Sequence, residues 1–328
     1  MPKRILVTGG FGFIGSHLVE RLLADRTSHV HVVDSLVTSP LDVGAYVARL
    51  REPARLTWDV CTLEEYCARP ERGGWDEIYH LASVVGPVGV LAHAGKIAGM
   101  VVNDTYRIIE LAVSSGARVV DVSTSEVYGG GRDGYCSERD FKVIQPKVTV
   151  RLEYAVGKLA AEIALINTTK VAPLHACIVR PFNVAGPRQS GKGGFVLPRF
   201  IAQALRGESL TVYSDGSMIR AFTHVSDIVS GIVLAMQRSR TGEAYNLGNP
   251  ANKSSILDLA RRVIALVGGP SKIDFVDPKQ LFGPLFEEAN DKFPDSDKAT
   301  TELGWVARHD IDRVIVDTTT YMRSGRCD

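Results

Sequence analysis

A tyrosine and a lysine stand four residues apart in Tyr154-Ala-Val-Gly-Lys158. At that spacing both side chains share one helix face. An ammonium near a phenol favours phenolate and lowers its pKa towards working pH, which makes a general base. Alone, such a pair is usually a chance aromatic and lysine on a solvated helix. A second group lies upstream, in Ser123-Thr124-Ser125-Glu126-Val127-Tyr128-Gly129, after the apolar run Arg118 to Val122. If that run is a parallel strand, these hydroxyls and this carboxylate sit at its carboxyl end, the ligand edge of an open sheet. Without the tyrosine and lysine the segment would read as an ordinary hydroxyl-rich turn.

The frame for these residues begins at the N-terminus. Ile5, Leu6 and Val7 form a short apolar run of the kind found in a buried parallel strand. Gly9, Gly12 and Gly15 follow, and Leu18, Leu22 and Leu23 then recur at helical spacing between His17 and Ala24. Glycines serve a tight turn, a close approach of backbone to pyrophosphate, and a helix packed against its strand. The helix start offers free N–H groups and a positive dipole end to phosphate. The next strand, His29 to Val33, ends in Asp34, about twenty residues on, where an acid accepts ribose hydroxyls and repels an added phosphate. The reading is a dinucleotide site for NAD rather than NADP.

Further strands are expected at Leu56–Val60, Glu77–Ser83, Arg118–Val122 and 174–180, with a long helix over Met100–Ser115. Asp59 and Val60 end the third strand near where an adenine would lie, or are an ordinary strand end. Val84 to Gly89 reads as a loop broken by glycine and proline. Gln189 to Gly194 reads as a glycine-rich loop, with a helix within Gly193–Leu205. Beyond Arg180 the strand–helix alternation breaks up. The expected fold is therefore α/β, a Rossmann-type doubly wound parallel sheet with a smaller, partly interleaved C-terminal substrate domain. Residues 1–180, rejoined by 221–247, would bind NAD; 181–220 and 248–328 would bind substrate.

The bulk numbers narrow the class. A chain of 328 residues with 45% hydrophobic and 23% charged residues is a soluble globular type with room for two lobes. A net charge of +1 gives no footing for nucleic acid or a membrane surface. No apolar run approaches the ~18 residues of a membrane span. Five cysteines, at 61, 67, 136, 177 and 327, include no C-x-x-C pair and fit reduced thiols in a cytoplasmic enzyme. No metal site is expected.

Taken in order, these motifs resemble the extended short-chain dehydrogenase/reductases, in the NAD-dependent nucleotide-sugar epimerase/dehydratase/decarboxylase group. The likeness covers nearly the whole chain: the glycine turn, Asp34, His80-Leu-Ala-Ser83, Ser123–Gly129, Tyr154/Lys158, Arg180–Arg188, Arg220–Asp227, Asn246-Leu-Gly-Asn-Pro250 and Pro294-Asp295 to Trp305. The resemblance implies that Tyr154 takes the sugar 4-hydroxyl proton while C4 gives hydride to NAD. Lys158 would hold the nicotinamide ribose, and Thr124 or Ser125 the 4-oxygen. Phe13, Ile14, Leu81, Ala82, Ser83 and Pro181 would line the cofactor. Val85, Asn183, Arg188, Arg220 and Lys292 would meet the nucleotide sugar. A homodimer is implied, paired through two long helices at Met100–Ser115 and Arg151–Thr169.

Within the group, Thr124-Ser125-Glu126 is similar to the triplet of UDP-glucuronate decarboxylases, which the GDP-mannose 4,6-dehydratases share. Most 4,6-dehydratases carry an aspartate where Ser125 stands. The leading expectation is C4 oxidation of UDP-glucuronate followed by decarboxylation, to a UDP-4-keto-pentose or UDP-xylose. The alternatives are a UDP-sugar 4-epimerase, an NDP-sugar 4,6-dehydratase, or a non-catalytic NAD-binding regulator. Two departures stand out. Lys292 occupies a place where the decarboxylases usually carry arginine, which loses a planar fork for carboxylate. The stretch Arg151-Leu-Glu153 replaces a common Ser-Pro start before the tyrosine.

Overall fold

The computed structural model describes residues 2–69, 74–129, 134–142, 144, 146–191, 194–283, 286 and 291–325. Gly193 and Cys327, named above, lie outside the described residues. Seven strands form the main sheet: β1 (Lys3–Thr8), β2 (Ser28–Asp34), β3 (Leu56–Val60), β4 (Glu77–His80), β5 (Arg118–Val122), β6 (His175–Pro181) and β7 (Ala244–Leu247). Their order is β7-β6-β5-β4-β1-β2-β3, with every pairing parallel. The chain runs outward from β1 to β3, then crosses back to lay β4 on the other side of β1. That reversal opens a crevice at the carboxyl ends of β1 and β4, where ligands bind in open α/β sheets.

The longer helices are α1 (Phe13–Leu23), α2 (Ile97–Ser115), α3 (Val150–Val171), α4 (Val196–Leu205), α5 (Val225–Arg238), α6 (Ile256–Val267) and α7 (Ile311–Arg323). Strand side chains alternate between two faces. Val7, Val30, Val32, Val120 and Val179 pack with Leu18 and Leu22 of α1 and Ile228 and Ile232 of α5. Leu6, Val33, Ile78, Val119 and Ile178 pack with Ile108 and Leu111 of α2 and Leu165 of α3. Both faces are thus covered, which is why the strands read as continuous apolar runs.

A second core joins α4, α6 and α7 through Leu197, Phe200, Ile201, Leu259, Val263, Val314 and Ile315. Two parallel strands, Leu210–Tyr213 and Ile273–Val276, border it. β7 lies in the main sheet, and α5 packs on that sheet beside α1, so the chain returns to the first lobe after visiting the second.

Three details differ from the sequence-based expectations. The fourth strand stops at His80, because the next free N–H, that of Ala82, donates to the Thr8 hydroxyl at 3.2 Å. The loop after it turns into a short helix at Pro87–Ala92, with proline in its first turn. Helix α7 follows Trp305 where no element was expected; Asp310 caps it by accepting from Arg313 N.

Candidate active site

The glycine turn is built by close contact. Gly9 has φ +70°, and a Cβ there would lie 2.8 Å from Ala82 N. A Cβ on Gly15 would lie 2.1 Å from Gly9 O, so any larger residue would push α1 off β1. A Cβ on Gly12 would meet only Gly9 O, at 3.2 Å, and otherwise points into open space at the helix start. Asp34 braces this turn: it accepts from Phe11 N at 2.9 Å and from Leu36 N at 2.8 Å. Burial raises its carboxyl, against the pull of the N–H groups of Leu36, Phe11 and Gly12. A carboxylate with two such bonds keeps lone pairs for a ribose diol. Bare backbone, a helix start and a spare acceptor fit NAD. Of the other candidate cofactor residues, Phe13 and Ile14 open α1 and pack against the sheet core. Leu81, Ala82 and Ser83 follow β4, and Pro181 ends β6. Asp59 is held by Arg69 at 2.8 Å and His31 at 3.2 Å, while Val60 is exposed.

Helix α3 carries Tyr154 and Lys158, and its placement is tightly set. Gly157 lets it approach α2, since a Cβ there would fall 2.7 Å from Ala98 Cα. Glu153 reaches across to accept from Gly95 N at 2.7 Å, just before α2 begins. Tyr154 and Lys158 are both buried, and the lysine Nζ donates to Val122 O, the end of β5, at 3.0 Å. Burial raises the Tyr154 phenol, and the carboxylates of Glu126 and Asp121 push the same way. The hydroxyls of Thr124 and Ser83 lie beside the phenol and pull it down. Thr124 also caps the short turn Ser125–Tyr128 by accepting from Glu126 N at 3.2 Å. The structure therefore brings Tyr154, Lys158, Thr124 and Ser83 together at the edge of the crevice, with buried Ser125 in the same turn.

Glu126 points at two cations. Arg151 grips it with both ends of its fork, Nε to Oε2 at 2.6 Å and Nη2 to Oε1 at 2.7 Å. Lys292 Nζ lies 3.1 Å from Oε1 and is itself buried. Burial would raise the Glu126 carboxyl, but Arg151 and Lys292 outweigh it and hold the group well below the usual carboxylate range. Burial in turn lowers Lys292, with Glu126 opposing and the charges of Arg151 and Arg220 adding to the drop. Lys292 and Arg220 also pair through their backbones. Arg151 stands out in the sequence only as the start of an unusual stretch before the tyrosine, and is not among the candidate site residues there. Its signal was its position three residues before Tyr154, on the same helix face.

The remaining candidates spread along the rim. Asn183 has φ +38°, and its side chain donates to Ala221 O at 3.4 Å, next to Arg220. Val85 is exposed in the loop after β4. Arg188 turns to the first lobe: it donates to Glu20 at 2.6 Å and lies over the Tyr46 ring, 5.5 Å from its centroid. Behind the site, Ser123 Oγ donates to Glu162 at 2.5 Å, and Glu162 also holds Arg180, whose Nη1 meets Tyr128 Oη at 2.9 Å. Tyr128 Oη then donates to Asn246 on β7 at 2.7 Å. This buried network fixes both ends of the turn that carries Ser125 and Glu126.

A doubly wound sheet with a glycine turn at its switch point and a Tyr–Lys pair facing a Thr-Ser-Glu turn defines the class. The chain belongs to the NAD dependent epimerase/dehydratase family, whose pattern matches residues 5–248. It is 35% identical over 98% of its length to UDP-glucuronic acid decarboxylase 1 of Xenopus tropicalis, covering 72% of that protein. It is 33% identical to UDP-N-acetyl-alpha-D-glucosaminuronate decarboxylase of Bacillus cytotoxicus, covering 91% of each chain. Among solved structures it is similar to the dTDP-glucose 4,6-dehydratase DesIV of Streptomyces venezuelae, solved with NAD and TYD (TM-score 0.83, 28% identity, 98% of each chain). It is also similar to UDP-glucuronic acid 4-epimerase of Bacillus cereus, solved with UDP-glucuronic acid and NAD (TM-score 0.82, 25% identity, 98% of this chain and 99% of that one).

Proposed function

We propose that the protein oxidises UDP-glucuronate at C4 and then releases its C6 carboxylate as carbon dioxide, giving a UDP-4-keto-pentose that is reduced to UDP-xylose when hydride returns. The observation that carries this reading is the state of Glu126. Loss of water across C5 and C6 needs an acid and a base. Here Ser125 stands where most 4,6-dehydratases carry the acid, and Glu126 is committed to Arg151 and Lys292. Decarboxylation needs neither, because a C4 ketone turns the C6 carboxylate into a β-keto acid that loses carbon dioxide readily. Arg151 and Lys292 set two cations against the single carboxylate of Glu126, which suits a substrate that brings negative charge of its own. The decarboxylase relatives act on UDP-linked uronic acids by name and support the same choice.

In this reading Tyr154 accepts the proton of the 4-hydroxyl, and Thr124 and Ser125 hold the 4-oxygen. NAD, when bound, supplies the hydride acceptor. Lys158 orients the cofactor ribose. Lys292 and Arg151 steer the carboxylate end of the ring through Glu126, and Arg220 with Asn183 takes the diphosphate. Arg188, paired with Glu20 of α1, adds to the same rim. After carbon dioxide leaves, the resulting enolate takes a proton at C5 from water, and Tyr154 gives its proton back to the 4-oxygen as hydride returns to C4. The test is to incubate the protein with UDP-glucuronate and NAD and weigh the product. A pentose nucleotide is expected. An unchanged mass with an inverted C4 would make the enzyme a 4-epimerase, and no turnover of any sugar nucleotide would leave a non-catalytic NAD binder.

The assembly proposed is a homodimer paired through α2 and α3. Val156 and Ile163 form one stripe on α3 and are 38% and 52% exposed; Tyr106 on α2 is 52% exposed. Such outward apolar side chains on two adjacent long helices suit a symmetric four-helix contact. A cytoplasmic location belongs to the same proposal. It is supported by the free thiols of Cys61 and Cys177. Among the described residues no helix is long and apolar enough to cross a membrane.

A further inference from the structure

One buried acid plays no part in the chemistry above. Asp121 lies in β5 between apolar neighbours, Val119, Val120 and Val122, and is 3% exposed. A carboxylate inside an aliphatic strand costs stability unless a partner offsets it, so the fold alone gives no reason for an acid here.

Its surroundings give one. Thr8, His80 and Asp121 stand abreast across β1, β4 and β5, with Thr8 paired to His80 and His80 to Asp121. Two residues earlier in each strand come Leu6, Ile78 and Val119, which pack towards α2 and α3. The period of two returns the polar row to that same face. Lys158 comes down on the row from α3 and donates to Val122 O, the residue after Asp121. All four polar side chains are buried. The Thr8 hydroxyl meets His80 Nδ1 at 2.7 Å, and His80 Nε2 lies 3.9 Å from Asp121 Oδ1. Burial, and after it the charge of Lys158, pushes His80 down to about 3, so this ring is neutral and is no counter-charge. Cys177 on β6 also senses Asp121, but burial pushes that thiol up to about 12 and it is neutral too. Asp104 of α2 and Tyr154 of α3 also feel this lysine or this acid, and Glu126 is the other and larger negative charge acting on the Tyr154 phenol. Asp121 is the acid of this buried row: burial raises its carboxyl, and the charge of Lys158 pulls it back down.

We propose that Asp121 is a positioning residue for the Tyr154–Lys158 couple: its carboxylate lies in the buried row beneath the lysine, holds the ammonium at the end of β5 and adds to the negative charge that Glu126 places near the phenol. The idea rests on Tyr154 being the base, but not on which sugar is bound. A negative charge near a phenol raises its pKa, so removing the charge lets Tyr154 ionise at lower pH.

The holoenzyme with bound NAD is titrated by tyrosinate absorbance, and the signal of Tyr154 is taken as the difference from Tyr154→Phe. In Asp121→Asn the midpoint is expected to fall by about one pH unit, the size of one removed charge at short range. Asp121→Glu should restore the wild-type midpoint. Asp121→Val, which matches its strand neighbours, should show the same fall as Asp121→Asn and serves if the asparagine variant does not fold. A midpoint that stays put in the folded Asp121→Asn or Asp121→Val protein overturns the proposal. If Tyr154→Phe instead turns over sugar nucleotide at the wild-type rate, the tyrosine assignment fails on its own account, which separates the two ideas.

Discussion

At the scale of single residues, the site is a contest between burial and charge. Burial keeps the Tyr154 phenol neutral, and the hydroxyls of Thr124 and Ser83 are the local groups that oppose it. Removing the phenolic oxygen should therefore remove the base without loosening the helix. Tyr154→Phe is expected to lower turnover by about 100-fold or more, with NAD affinity kept; equal loss of cofactor binding would point to a packing role. Glu126 is the opposite case, a carboxylate held ionised by Arg151 and Lys292. Its folded pKa is depressed, so it adds stability above its unfolded value and loses that stability as pH falls towards the folded one. Arg151→Met removes most of the depression. The melting temperature gap between wild type and this variant should be widest near neutrality and shrink as the buffer is taken to about pH 3. A gap that is constant with pH would mean that Arg151 acts by packing alone.

At the scale of elements, the question is what aims these side chains. Helix α3 approaches α2 because Gly157 has no Cβ to meet Ala98. Gly157→Val should push the helices apart, cost about 1–3 kcal/mol and lower the melting temperature, and turnover should fall further than stability because Tyr154 and Lys158 move with the helix. Thermal melts beside single-turnover rates would separate the two losses. The strands and the glycine turn were legible in the sequence because a doubly covered parallel strand is apolar throughout and a pyrophosphate turn leaves no room for Cβ. The Tyr154–Lys158 spacing was legible because helical neighbours are local. What could not be read was contact between distant segments. Arg151 and Lys292 converge on Glu126 only once α3 and the second lobe have both closed on β5, and no local pattern records that. The end of β4 depends on a hydroxyl from β1 taking the Ala82 N–H. Helix α7 was missed because its buried face includes Thr318 and Thr319, which blur the apolar period.

At the scale of the whole molecule, the two lobes meet where the chemistry is placed. Asn246 on β7 receives Tyr128 Oη, and its own side chain donates to Cys136 O at 2.9 Å and Asp295 O at 3.1 Å. One amide thus ties the main sheet to the strand pair Tyr135–Cys136 and Phe293–Pro294, next to the segment that carries Lys292. The helices that aim Tyr154 lie on the outside of this body and expose apolar stripes. If two copies pair there, the dimer contact stiffens the same helices that hold the site, and assembly and turnover should rise and fall together. Ile163→Glu places a charge in the stripe, on the face of α3 away from the sheet, where it is 52% exposed in the single chain. Sedimentation of this variant should give the mass of one chain where wild type gives two. Its turnover should drop several-fold and recover at high protein concentration, since association follows mass action. A variant that sediments like wild type would remove this face from the interface, and a monomer with full turnover would show that the site is complete within one chain.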